Sequence, residues 1–229
     1  MTAHFLRFPR TPHLTWLGEG TPRDDKVLTL AQAEDFLSHP VVIEEKVDGA
    51  NLGISFDENG ALRIQNRGSY MVPPYAGQFD RLNAWLSPHM DKLFDLLGSR
   101  MLLFGEWCAV RHSLNYSRLP DWFLGFDVYD RDARKFLSTQ RRDDLLHCAG
   151  LHCVRKINTR VHALDDLKRA LNNARSSYRS GAPEGFYIRV EDKDWLIARA
   201  KMVRAEFTHA ITTHWRRRST EHNRLAVSM

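Results

Sequence analysis

The stretch VVIEEKVDGAN, from Val41 to Asn51, places a lysine between an apolar run and a tight turn. Val41 to Ile43 is typical of a buried strand, and Asp48-Gly49 of a turn into a second strand. Lys46 is therefore expected at the end of a strand, held by a sheet. A lysine amine with its ordinary pKa of about 10.4 is a poor nucleophile, and burial or cationic neighbours would lower that pKa. Taken alone, the pattern fits an ordinary hairpin lysine equally well.

Composition indicates a globular protein of a reducing compartment. The chain has 229 residues, of which 43% are hydrophobic, and no apolar run approaches the ~20 residues that cross a bilayer. Three cysteines argue against a disulfide framework, and the first residues lack the apolar core of a secretory signal. We therefore expect a cytoplasmic protein. The net charge of +5, concentrated at Arg141-Arg142 and Trp215 to Arg218, is compatible with a polyanionic partner.

The periodicity of the chain predicts mixed helices and strands without regular alternation, which is typical of an α+β fold of antiparallel sheets flanked by helices. Helices are predicted at 29–38, from Phe79 to Gly98 with an interruption near Pro88, from Ser138 to Gly150, at 164–171 and from Ala205 onward. Strands are predicted at 41–46, 51–57, 61–67, 101–104, 122–126, 185–190 and 195–198, with an exposed loop at 175–182. We expect one domain over residues 1–229, with 205–229 forming a short basic helix and tail.

Charged residues stand at several predicted strand ends or interiors, where an unused charge is costly. They are Lys46, Asp48, Arg67, Glu106, Asp127, Glu184, Arg199 and Lys201. Each one alone fits a solvated hairpin rim. Together, cationic groups from several strands and two or three carboxylates suit a nucleoside triphosphate and its metal ion, because arginine and lysine neutralise phosphate oxygens and carboxylates hold Mg²⁺ or ribose hydroxyls.

Six short motifs resemble, in order, those of the covalent nucleotidyltransferases: ATP-dependent DNA ligases, RNA ligases and mRNA capping enzymes. They are Lys46-Val47-Asp48-Gly49, Arg67 one hairpin later, Phe104-Gly105-Glu106, Phe126-Asp127, Glu184-Gly185 and Arg199-Ala200-Lys201. The match runs from about residue 41 to 207. Within this superfamily the leader Pro9 to Leu14 and the stretch Arg199 to Phe207 are most similar to RNA ligases, in the branch that seals nicks in duplex RNA.

The resemblance implies an ATP-dependent RNA ligase that uses Mg²⁺ or Mn²⁺. It implies that Lys46 attacks the α-phosphate of ATP to form lysyl-AMP, that Arg199 and Lys201 contact the phosphates, and that Glu184 helps to place the metal. Further implied contacts are Glu44, Glu45 and Arg67 at the nucleotide, Glu106 at the ribose and Phe126 stacked on adenine. AMP would then pass to a 5′-phosphate end, and a 3′-hydroxyl would displace it.

Two departures from the family pattern affect these expectations. Arg199 replaces a lysine, which keeps the charge but changes its geometry. Only a short stretch follows Lys201, so we expect no OB-fold or helical C-terminal domain. Nucleic-acid contact is then expected from Arg67 and from Arg216, Arg217 and Arg218, or from a protein partner that supplies the missing domain. Two alternatives stay open: a GTP-using capping-type transferase, and a nucleotide- or nucleic-acid-binding module without turnover.

Other chemistry-bearing residues have simpler explanations. His147, Cys148, His152 and Cys153 bring four possible zinc ligands together, but they straddle a predicted helix end and lack the usual ligand spacing. Cys108 and the aromatic residues Tyr116, Trp122 and Tyr129 are expected in the core, although such rings also stack on bases. His112 is expected to face solvent.

Overall fold

The computed structural model describes residues 5–22, 26–157, 163–210 and 221–226, with the side chains of 208–210 left aside. Two antiparallel sheets organise these residues. The first has three strands in the order β1-β8-β9, and the second has six in the order β4-β3-β2-β5-β6-β7. The strands are β1 Val41–Lys46, β2 Ala50–Phe56, β3 Leu62–Gln65, β4 Tyr70–Met71, β5 Met101–Trp107, β6 Phe123–Asp130, β7 Lys135–Phe136, β8 Gly185–Glu191 and β9 Leu196–Val203.

Five helices accompany the sheets in the described part of the chain. They are α1 Leu30–Leu37, α2 Leu82–Leu97, α3 Thr139–Cys148, α4 Leu164–Asn173 and α5 Ala205–Ala210. No helix in the described ranges is long and apolar enough to cross a membrane. The mixture of helices and antiparallel sheets confirms the predicted α+β class.

The β2–β3 hairpin and the start of helix α1 lie close to where the sequence pattern predicted them. In the β2–β3 turn, Asp57 Oδ1 accepts the N–H groups of Asn59 and Ala61 at 3.0 and 2.9 Å. Helix α1 begins after Thr29, whose hydroxyl accepts the Gln32 N–H while the Gln32 side chain accepts the Thr29 N–H. Such reciprocal bonds satisfy donors that have no partner inside the helix. Local side chains therefore fix both boundaries.

The predicted interruption of α2 at Pro88 is wrong. The helix runs unbroken from Leu82 to Leu97, and Phe79 belongs to a separate 3-10 turn at Gly77–Phe79. A proline inside a helix removes one backbone hydrogen bond and costs ~3 kcal/mol. The helix buries five side chains against the six-stranded sheet, namely Leu82, Trp85, Leu86, Leu93 and Leu97. At roughly 1.5–3 kcal/mol for each fully buried side chain, this packing outweighs the local cost of Pro88.

Helix α3 begins at the predicted residue but is capped from a distance. Ser138 occupies the capping position, yet its hydroxyl donates to the Lys193 carbonyl at 3.0 Å. The carboxylate of Glu191 instead accepts the Thr139 N–H at 2.9 Å. A carboxylate at a helix N-terminus also interacts favourably with the helix dipole. The end of β8 therefore fixes the start of α3.

The segment 152–157 joins the two sheets. Gly125 of β6 donates to the His152 carbonyl at 2.8 Å, and Val154 donates back to Gly125 at 3.0 Å. On the other side, Glu45 of β1 donates to the Arg155 carbonyl at 2.9 Å, and Ile157 donates to Ile43 at 2.8 Å. The segment therefore holds β1 beside β6, and the two sheets meet along this line.

Several side predictions can be compared with the structure. Cys108 and Tyr116 are fully buried, as expected. No group of His, Cys, Asp or Glu within the described ranges is arranged to hold a metal ion, so the four residues around Gly150 form no preformed zinc site. The predicted exposed loop at 175–182 is wrong in part, because Ser176 and Tyr178 are buried: Ser176 bonds to Glu45 of β1, and the Tyr178 hydroxyl accepts the Arg155 N–H.

Candidate active site

A cavity of about 630 Å³ opens where the two sheets meet. Its walls come from β1, β8 and β9 on one side and from β2, β5 and β6 on the other, with the N-terminal leader closing one edge. The predicted site residues among its lining are Glu44, Glu45, Lys46, Arg67, Glu106, Phe126 and Lys201. Residues that are 155 positions apart in the chain therefore share one cavity, with Lys46 at the end of β1 and Lys201 within β9.

Lys46 forms an ion pair with Glu184 at one end of the cavity. The antiparallel register pairs Lys46 with Gly185, which places Glu184 directly beside the lysine, and Nζ lies 2.7 Å from Glu184 Oε2. Burial disfavours the ammonium, but the carboxylates of Glu184, Glu106 and Asp48 outweigh it and raise the pKa of Lys46 above its ordinary 10.5. The expectation of a lowered pKa is therefore wrong for this state, because the neighbours are anions rather than cations.

Glu106 and Asp48 are fixed by backbone donors around the same lysine. Glu106 Oε1 accepts the Gly49 N–H at 2.9 Å, and Asp48 Oδ2 accepts two N–H groups of the loop after β5, at 2.7 and 3.0 Å. Burial raises the pKa of Glu106 to about 8, with Asp48 and Glu184 adding to the effect and Lys46 opposing it. Burial also raises the pKa of Glu184, against the influence of Lys46.

Glycine is required at position 49 because the turn between β1 and β2 passes close to β5. A Cβ atom at this position would lie 2.5 Å from the Trp107 carbonyl oxygen and 3.1 Å from Cγ of Glu106. Neither neighbour has room to move, since one is backbone and the other holds the Gly49 N–H. The Asp48-Gly49 turn predicted from sequence therefore also brings Lys46 close to Glu106.

Phe126 lies on a bulge in β6. The pairing with β5 passes from Asp127 opposite Phe104 to Gly125 opposite Gly105, so Phe126 is the additional residue. Its carbonyl accepts hydrogen bonds from Arg142 Nη1 at 2.6 Å and Arg189 Nη1 at 3.2 Å. A bulge redirects the side chain of the additional residue. Here the Phe126 ring lines the cavity and contacts Phe8 edge-on, with centroids 5.2 Å apart.

Arg199 and Lys201 of β9 have different surroundings. Lys201 lines the cavity, opposite Tyr187 in the β8–β9 register. Arg199 does not line it: its Nη1 lies 2.8 Å from Asp127 Oδ2, and its guanidinium stacks on the rings of Phe8 and Phe136 at 5.0 and 4.1 Å. These contacts assign Arg199 to the support behind the cavity, and its predicted contact with phosphates stays a prediction.

Glu44 and Glu45 line the cavity, but folding partners hold their carboxylates. Glu44 Oε1 accepts from the buried Arg142 at 2.6 Å. Glu45 accepts from the Ser176 hydroxyl and from the Ser177 N–H, and burial raises its pKa. Buried carboxylates are stable only when paired in this way. The predicted nucleotide contacts of Glu44 and Glu45 stay predictions.

Of the four arginines predicted to contact nucleic acid, Arg67 alone is among the described residues. Arg67 is exposed at the cavity edge, and its carbonyl accepts from Arg7 Nε at 3.2 Å. Arg216, Arg217 and Arg218 lie outside the described residues.

Sequence reasoning missed His112 and the leader. His112 does not face solvent: it lines the cavity, its Nε2 lies 2.9 Å from Gln78 Oε1, and burial lowers its pKa despite the opposing charge of Asp48. Phe8, Pro9 and Thr11 form another part of the wall. The family resemblance had marked the leader only as a similar stretch, and no local pattern placed it or His112 at the cavity, because the contacts that bring them there are long-range.

Comparison with protein families decides the relationship. The model of the RNA ligase family matches residues 39–203, which includes the cavity strands β1 to β9. The chain belongs to the RNA ligase family. Comparison with curated proteins gave no match.

Solved structures similar to this RNA ligase family member include several of an RNA ligase from Naegleria gruberi. A mutant with ATP and Mn is 14% identical, with a TM-score of 0.65 over 88% of this chain and 57% of the other. The enzyme with PPi is 16% identical, with a TM-score of 0.64 over 79% and 54%. A second mutant, with AMP and Mn, is 15% identical, with a TM-score of 0.64 over 90% and 57%. The chain thus spans a little over half the length of these proteins and shares their fold.

Proposed function

We propose that this protein is an ATP-dependent RNA ligase that works through a covalent AMP on Lys46. The observation that carries the proposal is the pairing of Lys46 Nζ with Glu184 at 2.7 Å, beside a cavity that Lys46 lines together with Glu106 and Lys201. Family membership and the complexes of the Naegleria gruberi enzyme with ATP, AMP, PPi and Mn support it. We further propose that residues 1–229 form one nucleotidyltransferase domain.

The carboxylates around Lys46 suit a divalent metal. Burial raises the pKa values of Glu106 and Glu184, with Asp48 adding to both shifts, and a cation beside these acids would favour their charged forms. Mg²⁺ is usually held by one or two carboxylates together with substrate phosphates, so a preformed cage of three ligands is not needed. Glu184 would hold the ion, which neutralises phosphate charge when bound. Lys201, on β9 of the same sheet as Lys46, would contact the same phosphates.

The first chemical step needs a neutral Lys46 amine. Glu184 Oε2 touches Nζ and has a raised pKa, so it is the nearest acceptor for the lysine proton. The amine then forms the P–N bond to the α-phosphorus of ATP while the P–O bond to pyrophosphate breaks. Phe126 would stack on the base and Glu106 would accept from ribose hydroxyls. AMP would next move to an RNA 5′-phosphate near Arg67, and a 3′-hydroxyl would displace it.

Covalent labelling tests this proposal. The full chain is incubated with α-labelled ATP and Mg²⁺ or Mn²⁺ and then run on a denaturing gel. We expect label on the wild type and none on Lys46→Ala. Lys193→Ala, at an exposed turn, is the matched control and should keep the label. A wild type that takes up no label, or label that survives in Lys46→Ala, would contradict the covalent mechanism.

The same labelling assay then compares GTP with ATP, and a sealing assay tests the polynucleotide substrate. Stronger labelling with GTP than with ATP would favour a capping-type transferase. If label forms, we expect sealing of a nick whose 3′-hydroxyl strand is RNA. A requirement for added cell extract would indicate that sealing needs a protein partner.

A further inference from the structure

A group of arginines surrounds the loop 175–182 beside the active site. Arg118 Nη2 donates to the Arg179 carbonyl at 2.8 Å, and Arg155 Nη1 donates to the Ser177 hydroxyl at 2.9 Å. Arg179 itself donates from Nη1 to the Ala182 carbonyl at 2.8 Å. The three side chains, here called the arginine cluster, come from three separate segments of the chain. Their convergence is therefore a product of the fold.

The side chains of the arginine cluster are hydrogen-bonded to neutral groups, although Arg155 also interacts electrostatically with Glu45. Within the described ranges, none of Arg118, Arg155 and Arg179 has a carboxylate oxygen within 4.0 Å, and all three bond to neutral oxygens instead. Six arginines elsewhere each have a carboxylate partner, namely Arg63, Arg100, Arg111, Arg141, Arg169 and Arg204. The cluster therefore keeps its positive charge, with Arg118 and Arg155 exposed to solvent.

Two sets of hydrogen bonds join the loop that carries Arg179 to residues of the active site. Glu45, next to Lys46, accepts from Ser176 and Ser177 of the loop. On the other side, the Tyr178 carbonyl accepts the N–H groups of Ser117 and Arg118, close to Tyr116. The Tyr116 hydroxyl in turn accepts the Asp48 N–H at 2.8 Å. The loop also leads directly into Glu184, the partner of Lys46.

We propose that the arginine cluster binds the phosphate backbone of the RNA strand whose end enters the cavity; this inference rests on the proposed ligase function. Guanidinium groups form strong, charge-assisted hydrogen bonds with phosphate oxygens. Because the groups hold no carboxylate, binding RNA breaks no ion pair. Their origin in three chain segments around one loop suits a chain of phosphates better than a single small anion. This surface is distinct from Arg67 and lies on the described part of the chain.

The test compares RNA binding with self-adenylylation in the full chain. Arg118→Gln with Arg155→Gln removes two exposed charges while keeping a side-chain N–H donor at each position. The probe is a fluorescently labelled nicked RNA duplex with a 5′-phosphate, titrated without ATP at several salt concentrations. We expect Kd at low salt to rise about tenfold or more, and the slope of log K against log salt to fall by about 1.4–1.8, as for the loss of two phosphate contacts.

A control variant and a second measurement make the test decisive. Lys92→Gln with Arg134→Asn also removes two charges, on α2 and in the β6–β7 turn, away from the cavity and the loop; asparagine tolerates the positive φ of 53° at 134. It should bind RNA like the wild type. Both double variants should label with ATP as well as the wild type.

Several outcomes would overturn the inference. An unchanged Kd and salt slope in the Arg118/Arg155 variant would do so, and so would equal losses in both double variants. Loss of labelling in the Arg118/Arg155 variant would show damage to the site rather than to RNA binding. Arginine-dependent binding to anionic lipid vesicles, without RNA binding, would assign the surface to a membrane. A wild type that fails to label would contradict the ligase function, while the RNA titration would still decide the surface.

Discussion

At the scale of single residues, the active site is a balance of charges around Lys46. Its ammonium is held by Glu184 at 2.7 Å and by the nearby carboxylates of Glu106 and Asp48. Burial disfavours the ammonium, but these carboxylates outweigh it and raise the pKa of Lys46. Burial also raises the pKa of Glu106 to about 8, with Asp48 and Glu184 adding to the shift and Lys46 opposing it. The resting site therefore favours a protonated lysine, and ATP binding has to change this balance before the amine can attack.

The raised pKa of Glu106 predicts a pH dependence of stability. The pKa of Glu106 rises from 4.5 in the unfolded chain to about 8 in the folded protein, so between these values the folded state binds the additional proton. Glu106 therefore contributes stability below pH 4.5 that is lost as the pH rises through 8. We expect the free energy of unfolding in urea to fall between about pH 5 and pH 8, and to fall less in Glu106→Gln.

Other titrating groups determine how much of the pH-dependent decline in stability remains in Glu106→Gln. The pKa values of Glu45 and Glu184 are also raised, so part of the decline should persist in Glu106→Gln. His112 acts in the opposite direction, since its pKa is lowered. Glu34→Gln, at an exposed position of α1, is the control and should behave like the wild type. Equal declines in Glu106→Gln and the wild type would show that Glu106 does not titrate in this window.

At the scale of elements, a buried network fixes helix α3 to both sheets. Arg142 of α3 is fully buried and donates to Glu44 of β1 at 2.6 Å and to the Phe126 carbonyl of β6 at 2.6 Å. Arg189 of β8 lies beside it and pairs with Asp127 at 2.7 Å. The Arg142 guanidinium thus fixes β1, which carries Lys46, relative to the Phe126 bulge of β6.

Removing this guanidinium should be costly. In Arg142→Met the Glu44 carboxylate stays buried without its partner, and breaking a buried pair on one side typically costs ~3–5 kcal/mol. We expect a loss of that order in the free energy of unfolding, measured in urea. The double variant Glu44→Gln/Arg142→Met removes the charge on both sides and should recover part of it. A double variant no more stable than Arg142→Met would mean that Glu44 is not the main partner.

At the scale of the whole molecule, the segment 221–226 supports the active site from outside. Asn223 is buried: its Nδ2 donates to the carbonyls of Cys108 and Val110 at 2.8 and 3.3 Å, and its Oδ1 accepts the Tyr116 N–H at 2.8 Å. The loop held in this way carries the N–H groups that bind Asp48. A residue close to the end of the sequence therefore positions the turn that follows Lys46.

Truncation of Asn223 should affect both stability and chemistry. In Asn223→Ala the buried groups of the loop lose their partner, which costs roughly 1–3 kcal/mol in the free energy of unfolding. We also expect slower labelling of Lys46 by ATP, because Asp48 loses its fixed position. Arg224→Ala is the control, since the bonds of residue 224 to the loop are made by its backbone. Unchanged stability and labelling in Asn223→Ala would show that the segment is dispensable.

Much of this architecture follows from local sequence signals. The strand over 41–46, the β2–β3 hairpin and the start of α1 depend on neighbours a few residues away, so periodicity and turn chemistry predicted them well. Pro88 shows the limit of this approach. A local rule placed a break there, and burial of one helix face against a sheet overruled it.

The sequence by itself determined the α+β class, the family and the set of charged residues at strand ends, because short-range patterns and motif order carry that information. Only the tertiary structure decided what each charge does. It paired Lys46 with Glu184 across 138 positions, placed Arg199 on Asp127 behind the cavity, and brought His112 to the cavity wall. The sign of a pKa shift depends on distances and burial, and these are set by contacts between residues far apart in the chain.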